Sequence, residues 1–301
     1  MTMRIAMMRS LNRLYRRVKT FVLVHRPPLL TGLFFRATRL VDHGLSGRHP
    51  TNAERLANTL WKQAYFDRWS RPDADRLRLL TEHPIAYRSD DHRFPRGTVF
   101  DNSTNERFNC RLYEMLGFAE NLRFLDLGCA GGGLVRSYLE DGYQAIGLEG
   151  SDHSKRHRSG EWDTIPYHCF TCDITKEFSV VDRQGQPVVF DAVTAWEVLE
   201  HIAEQDVGGL LDRIHRHLRP TRYFVGSIDL LPDGNPLTGA VYHQTLRPAA
   251  WWLHQFVLHG FRIVEDHPFA PEDMVRGNGS SLKDWHPADG YGLHVVAQRV
   301  S

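Results

Sequence analysis

Short apolar runs alternate with helical patterns after residue 121. The runs cover residues 122–125, 145–148, 190–195 and 223–228, and a helical pattern over 134–139 follows the first of them. Strands that alternate with helices indicate a mostly parallel sheet with helices on its faces. Two more strand-like runs, 261–264 and 293–297, lie near the C-terminus, with a long polar stretch between them.

The chain before residue 121 has a different pattern. Apolar residues recur at helical spacing over 51–69, and prolines then punctuate a polar stretch. Ser103-x-x-Glu106 has the form of a capping box and predicts a helix that ends at Gly117 and covers the mouth of the cofactor site. We therefore divide the chain into a helical N-terminal extension that caps the substrate site, residues 1–95, and a main domain, residues 96–301.

A glycine-rich turn follows the first strand-like run. Residues 126–133 read Asp-Leu-Gly-Cys-Ala-Gly-Gly-Gly. Such a turn lets a ligand approach the backbone closely and aims free N–H groups at the start of the next helix. Glu149 ends the following run, and an acid about 20 residues past such a turn suits a ribose diol. The pattern predicts a ribose-containing cofactor across the two strand ends, with a ligand-free tight connection as the alternative.

Acidic residues also follow the later runs. Asp173 comes after a third apolar segment, and Glu197, Glu200 and His201 come after the fourth. On a helix, the spacing of the last three places them on one face. Two carboxylates and an imidazole there could hold a divalent cation, whereas a plain charged stripe would continue to Glu204.

The order of these motifs from Asn121 to the end resembles the class I S-adenosylmethionine-dependent methyltransferases. The resemblance implies an α/β fold: a doubly wound, seven-stranded, mostly parallel Rossmann-like sheet that closes with an antiparallel hairpin. In that family the aspartate and the backbone of the glycine turn hold the methionine part of the cofactor, the next acid binds the ribose and a third acid contacts the adenine amine. The matching residues are Asp126, Gly128 and Gly132 for the turn, Glu149 for the ribose and Asp173 for the adenine.

Two further residues belong to the predicted cofactor site. Ala130 stands where the family usually has its middle glycine, so we expect a slightly shifted turn. Trp196, at the end of the fourth strand, is counted among the cofactor-binding candidates. A nicotinamide-binding Rossmann domain is the competing interpretation, and the Glu-x-x-Glu-His segment and a predicted turn at Leu218-Arg219-Pro220 argue against it.

Glu-x-x-Glu-His at this position resembles the metal motif of two O-methyltransferase groups. These are the small-RNA 3′-end 2′-O-methyltransferases, in which a later histidine completes the site, and the ubiquinone-biosynthesis O-methyltransferases. His243 lies in the corresponding loop, before a helix that carries Trp251 and Trp252. The implied Mg²⁺ or Mn²⁺ ligands are Glu197, Glu200, His201 and His243.

The predicted reaction is O-methylation of a small-molecule or glycan hydroxyl. A bound cation lowers the pKa of a coordinated hydroxyl, and two adjacent hydroxyls could chelate it, which favours a vicinal diol. His201 or His243 could take the proton as general base, with or without a metal. Methylation of an RNA 3′ end is the alternative reaction. A catalytically inactive binding protein is the alternative from another class, and the retained acids Asp126, Glu149 and Asp173 argue against it.

Charge and composition bear on the class of protein and on nucleic-acid binding. The 301 residues are 42% hydrophobic and 24% charged with a net charge of +1, which is typical of a globular protein and gives no global footprint for nucleic acid. Basic residues are concentrated in 1–41, which contain no acid and keep RNA binding open. That segment fits a helix packed on the main domain, a peripheral membrane contact or a targeting peptide.

The four cysteines give no disulfide framework, and a reducing cytoplasm is the simplest compartment. Cys169-x-x-Cys172 has the spacing of half a zinc site, but no second pair exists. We interpret both as strand residues. The oligomeric state is left open.

Overall fold

A computed structural model describes residues 76–277 and 290–300. Its strands are β1 (Arg78–Thr81), β2 (Arg123–Leu127), β3 (Gln144–Glu149), β4 (Cys169–Thr171), β5 (Phe178–Val181), β6 (Phe190–Trp196), β7 (Leu218–Asp229), β8 (Gly234–Asn235), β9 (Ala240–Val241), β10 (Phe261–Ile263) and β11 (Gly292–Arg299). Its α-helices are α1 (Asp90–Arg93), α2 (Arg96–Phe100), α3 (Glu106–Met115), α4 (Gly133–Glu140), α5 (His153–His157), α6 (Glu204–His217) and α7 (Ala249–Leu258). Two 3₁₀ turns cover Leu199–His201 and Pro271–Asp273.

Seven of the strands form the central sheet in the order β10-β11-β7-β6-β2-β3-β4. The five strands from β7 to β4 are parallel, and β11 runs antiparallel to both of its neighbours. The doubly wound, mostly parallel sheet with a closing antiparallel hairpin, expected from the sequence, is thereby confirmed. In such a sheet, ligands bind beyond the carboxyl ends of the parallel strands.

The sheet is buried on both faces. Phe124 of β2 packs into a core with α3 and α4, whereas its neighbour Leu125 faces a second core with α6 and α7. Because successive strand residues point to opposite faces, an unbroken apolar run such as Phe124–Leu125 fills both cores at once. Each central strand therefore ends at a fixed place on the carboxyl edge, where the polar residues of the site begin.

Only part of the predicted N-terminal extension falls within the described residues. Residues 1–75 lie outside them, and with them the basic segment and the helix expected over 51–69. Residues 76–95 contain the strand β1 as well as the helix α1, so this part of the extension is not purely helical. Strand β1 pairs antiparallel with β5 of the main domain. Within 76–277 and 290–300, no helix combines the length and the apolarity needed to cross a bilayer.

Three local predictions were wrong. Helix α3 is capped by Asn105, whose side chain accepts from the Arg107 N–H, rather than by Ser103. Leu218–Pro220 belongs to β7 and forms no separate turn. Residues 197–201 do not form an α-helix: Glu197 has a φ of 54°, and only Leu199–His201 makes a short 3₁₀ turn.

Candidate active site

The glycine turn lies between β2 and α4, and its glycines have close neighbours. Gly128 has a φ of 66°, and a Cβ there would stand 2.4 Å from Val198 Cγ2. Gly132 has a φ of 85° and serves as the N-cap of α4, and a Cβ there would stand 2.9 Å from the Cys169 sulfur. Both positions therefore need glycine, for the backbone conformation and for the space.

The N–H groups of the turn are not free, contrary to the sequence-based expectation. Five consecutive N–H groups donate within the protein: Gly128 and Cys129 to the Leu148 carbonyl, Ala130 to Glu149, Gly131 to the Asp101 carbonyl and Gly132 to the Cys129 carbonyl. These hydrogen bonds hold the turn in place, so its backbone conformation is fixed by the surrounding protein.

Ala130 adopts the left-handed conformation, with a φ of 43°. Its N–H donates to Glu149 Oε2 at 2.9 Å, and its carbonyl accepts from the Trp162 indole at 2.7 Å. These two bonds hold a conformation that costs an L-residue about 1–2 kcal/mol. The missing glycine is therefore accommodated by fixing the alanine from both sides.

Two buried acids lie at the ends of β2 and β3. Asp126 is 4% exposed and accepts from the Thr194 hydroxyl at 2.7 Å. Burial raises the pKa of Asp126 to about 7, although the Thr194 hydrogen bond lowers it. Glu149 accepts from Ala130 N–H, Ser151 N–H and the Thr98 hydroxyl. Burial raises the pKa of Glu149, although these bonds oppose the rise.

A loop at Asp101 and Asn102 covers the turn, where the sequence had suggested a helix. The Asn102 carbonyl would be 2.5 Å from a Cβ on Gly133, so the loop lies directly on the helix start. Arg276 reaches Asp101 at 3.0 Å, and its Nε lies 3.9 Å from Glu197 Oε2. An ion-pair bridge thus links the loop over the turn to the residue after β6.

Asp173 and Trp196 both lie at the carboxyl ends of parallel strands. Asp173 follows β4, and its Oδ1 accepts from the Thr175 N–H and hydroxyl, while its own N–H donates to the His83 carbonyl. Trp196 ends β6, is buried and packs edge-on against Phe108 at 4.9 Å between ring centroids. Its indole nitrogen has no hydrogen-bond partner among the described residues.

A second group of polar side chains lies beyond β6. One ligand atom each from Glu200, His201 and His243 lies within 4.8 Å of the others, and the two imidazole centroids are 4.9 Å apart. The Glu200 carbonyl accepts from the N–H groups of Gln244 and Thr245, so the backbone itself holds the His243 loop against the 3₁₀ turn.

Each of the three side chains uses one polar atom for its own orientation. Glu200 Oε1 accepts from the Asp229 N–H at 2.8 Å, while Glu200 Oε2 is buried without a partner among the described residues. His201 Nδ1 lies 2.8 Å from Asp91, and His243 Nδ1 lies against the Leu231 carbonyl. A carbonyl only accepts, so His243 carries its proton on Nδ1 and keeps Nε2 as a lone-pair donor.

The pKa shifts in this cluster follow from burial and from charge. Burial raises the pKa of Glu200 to about 8, against the opposing charge of His201. Burial lowers the pKa of His201, but the hydrogen bond and charge of Asp91 outweigh it and bring the value to about 9. Burial lowers the pKa of His243. A cation would have to displace protons from this cluster, because carboxylate and imidazole ligands bind a metal in their deprotonated forms.

Glu197 does not join the other three predicted metal ligands. Its left-handed backbone turns its side chain toward Arg276, because β6 ends at Trp196 and no helix carries Glu197 onto the face of Glu200. Glu204 is also outside the cluster, in an exposed ion pair with Arg247. The notion of one helical face was therefore wrong, and the cluster depends on the return of a distant loop.

Several residues at the site had no signal in the sequence. The contact that each of them makes with the site joins positions at least 29 apart in the sequence; the residues are Asp91, Thr98, Asp101, Trp162 and Asp229. All four cysteines are buried and form no disulfide. Cys169 begins β4, whereas Cys172 follows the last residue of that strand, so the prediction of strand residues was correct for Cys169 only.

The chain belongs to the methyltransferase-domain family. The family model matches residues 102–269, which is more than half of the 301-residue chain. This match, with the sheet topology, confirms the predicted enzyme class, an S-adenosylmethionine-dependent methyltransferase.

Curated relatives match part of the chain. The ubiquinone biosynthesis O-methyltransferase of Nitrobacter winogradskyi is 34% identical over 119 residues, 37% of this chain and 41% of that protein. The protein of the same name from Bradyrhizobium sp. is 33% identical over 119 residues, 37% of this chain and 43% of that protein. The match thus spans about two fifths of these curated relatives.

Among solved structures, the 1,6-didemethyltoxoflavin-N1-methyltransferase of Burkholderia thailandensis is 15% identical with a TM-score of 0.46, covering 70% of this chain and 84% of that one. An S-adenosylmethionine-dependent methyltransferase from Mesorhizobium loti is 21% identical with a TM-score of 0.43, covering 62% and 95%.

Proposed function

We propose that the protein is an O-methyltransferase that transfers the methyl group of S-adenosylmethionine to a hydroxyl of a small molecule or glycan, with a divalent cation at Glu200, His201 and His243. The observation that carries the proposal is the convergence of these three side chains at the strand edge that also carries the glycine turn. The relatives named as O-methyltransferases support the reaction type.

The cofactor half of the proposal rests on the turn and the acids around it. When bound, S-adenosylmethionine supplies an electrophilic methyl group: the acceptor oxygen forms a C–O bond as the C–S bond breaks, leaving S-adenosylhomocysteine and a proton. Asp126, Gly128, Ala130 and Gly132 would hold the methionine part. Glu149 would bind the ribose, exchanging the Thr98 hydroxyl for a ribose hydroxyl, and Asp173 and Trp196 would border the adenine.

The cluster residues fit a cation by their chemistry. Glu200 Oε2 is a buried carboxylate oxygen without a described partner, and His243 presents Nε2 because its Nδ1 is bound to a carbonyl. One carboxylate and two imidazoles suit Mn²⁺, and Mg²⁺ accepts fewer nitrogens. When bound, the cation would lower the pKa of the acceptor hydroxyl.

The acceptor we favour is a vicinal diol. Three protein ligands leave about three positions open on a six-coordinate ion, which is enough for two adjacent oxygens to chelate it. Without a cation, Nε2 of His201 or His243 would instead take the hydroxyl proton as general base. Glu197, drawn to Arg276, is left out of this ligand set.

The test is a methyl-transfer screen with isotope-labelled S-adenosylmethionine and purified protein. The acceptors are catechols, other vicinal diols, single hydroxyls and 3′-terminal RNA oligonucleotides, each assayed with Mn²⁺, Mg²⁺ or EDTA. We expect label in the diols, with turnover that EDTA abolishes and Mn²⁺ restores. Metal-independent transfer would remove the cation from the proposal, and label only in RNA would establish the alternative substrate. Cofactor binding without transfer to any acceptor, together with a biological role that survives Asp126→Ala, would favour the non-catalytic binding protein.

A further inference from the structure

The segment of residues 83–98, here named the strap, runs from the ends of β3 and β4 to the cluster of Glu200, His201 and His243. At the cofactor end, the His83 carbonyl accepts from Asp173 N–H at 2.9 Å, and Ala86 N–H donates to the Gly150 carbonyl at 2.9 Å. The Thr98 hydroxyl donates to Glu149 at 3.2 Å. The strap is therefore fixed against the ends of both β3 and β4.

The middle of the strap reaches the other half of the site. Asp91 Oδ2 lies 2.8 Å from His201 Nδ1, and Asp90 Oδ2 accepts from the Val241 N–H at 2.9 Å, two residues before His243. Helix α1 places both carboxylates, because Ser89 caps it by accepting from the Asp91 N–H at 3.1 Å. The strap lies before the part of the chain that matches the family model, residues 102–269.

The hydrogen bond to Asp91 determines which ring nitrogen of His201 is available as a metal ligand. A carboxylate only accepts, so His201 keeps a proton on Nδ1 and directs Nε2 away from the strap. Both side chains are largely covered, with exposed fractions of 23% for His201 and 29% for Asp91, so water competes little for the bond. A carboxylate partner of this kind fixes the tautomer and ring orientation of a metal-bound histidine and increases its basicity as a ligand.

We infer that Asp91 is a positioning residue of the cation site, supplied by the strap, which holds the His201 ring so that Nε2 faces Glu200 and His243. The inference rests on the proposed function, since it presupposes a cation at these residues. Asp91 itself touches neither the cation nor the acceptor. Its Oδ2 binds His201 Nδ1 and also accepts from the Ser89 hydroxyl at 3.4 Å, within the strap itself.

The experiment measures Mn²⁺ binding to the full-length protein by calorimetry, with S-adenosylhomocysteine binding and circular dichroism recorded in parallel. The variants are Asp91→Asn, which keeps an acceptor oxygen but loses the charge, and Asp91→Ala, which loses both. Glu82→Gln, an exposed carboxylate one residue before the strap, is the matched control for the loss of one charge. We expect Mn²⁺ affinity to fall by about 10- to 100-fold for Ala and by less for Asn. Glu82→Gln should match the wild type, and S-adenosylhomocysteine affinity should be unchanged throughout.

The outcomes separate the inference from the proposed function. Wild-type Mn²⁺ binding that neither Asp91 variant weakens would overturn the positioning role and leave the cation site intact. A wild type that binds no Mn²⁺ would overturn both. An equal loss of Mn²⁺ and S-adenosylhomocysteine affinity in folded Asp91→Asn would mean that the residue only supports the strap, which also contradicts the inference.

Discussion

The glycine turn after β2 and the cluster after β6 lie at adjacent strand ends but are built in opposite ways. The turn is one contiguous stretch whose N–H groups are bonded within the fold, and its two left-handed glycines are fixed by close contacts. The cluster joins Glu200 and His201 to His243, more than 40 residues later, and its supports, Asp91 and Asp229, come from two further segments.

This difference determines which substitutions should disturb each region. Backbone conformation defines the turn, so a single added methyl group is enough to disturb it. Side-chain lone pairs define the cluster, so substitutions that preserve shape but remove a ligand atom should act there without disturbing the fold. Val198 connects the two, because it packs against Gly128 just before the 3₁₀ turn begins.

The largest effect is expected for Glu200→Gln. Burial already favours the protonated carboxyl, whose shape glutamine copies, so the fold should persist. The lost ligand oxygen should reduce Mn²⁺ affinity by more than the about 100-fold caused by changes to supporting residues. Calorimetry checks this, and S-adenosylhomocysteine affinity should not change. Glu204→Gln, an exposed carboxylate four residues later, is the control. Equal Mn²⁺ affinities in the two variants would remove Glu200 from the cation site.

A second substitution tests the turn. In Gly128→Ala the new Cβ meets Val198 and the φ is left-handed, so we expect the free energy of unfolding to fall by about 2–4 kcal/mol, with weaker S-adenosylhomocysteine binding. Gly117→Ala has a similar φ of 70° but nothing within 4 Å, so it should cost only about 1–2 kcal/mol. Urea unfolding of both variants measures the difference. If the two losses match, the contact with Val198 has no role.

The most gradual effect concerns the titration of Asp126. The pKa of Asp126 in the folded protein, about 7, lies above the ordinary aspartate value of 3.8, so the folded state binds an extra proton between these two pH values. The stability that this proton contributes is complete below the lower value and is lost as the pH rises through about 7. Asp126→Asn should therefore flatten the decline in stability by up to about 1.4 kcal/mol per pH unit between about pH 4 and 7. Urea midpoints across this range check the slope, and an unchanged slope would contradict the shift.

Much of the fold could be predicted from the pattern of apolar residues. The runs at 122–125, 145–148 and 190–195 became β2, β3 and β6, and the antiparallel closure by β10 and β11 was also expected. The helix over 197–201 was not correctly predicted, because i, i+3, i+4 spacing says nothing about a left-handed Glu197. The Ser103 capping box failed because Asn105 makes the cap two residues later.

In the candidate site too, some features could be predicted from the sequence and others could not. Glycine and acid positions in one stretch follow from local backbone needs, so the sequence alone could place Asp126, Gly128 and Glu149 at the strand ends. It could also propose Glu200, His201 and His243 as partners through a resemblance, but not exclude Glu197. Only the tertiary structure decided that Glu197 turns to Arg276 and that Asp91 holds His201. The physical reason is that strand periodicity and turn conformation are encoded locally, whereas a contact between residues 110 positions apart depends on how several loops close over the sheet edge.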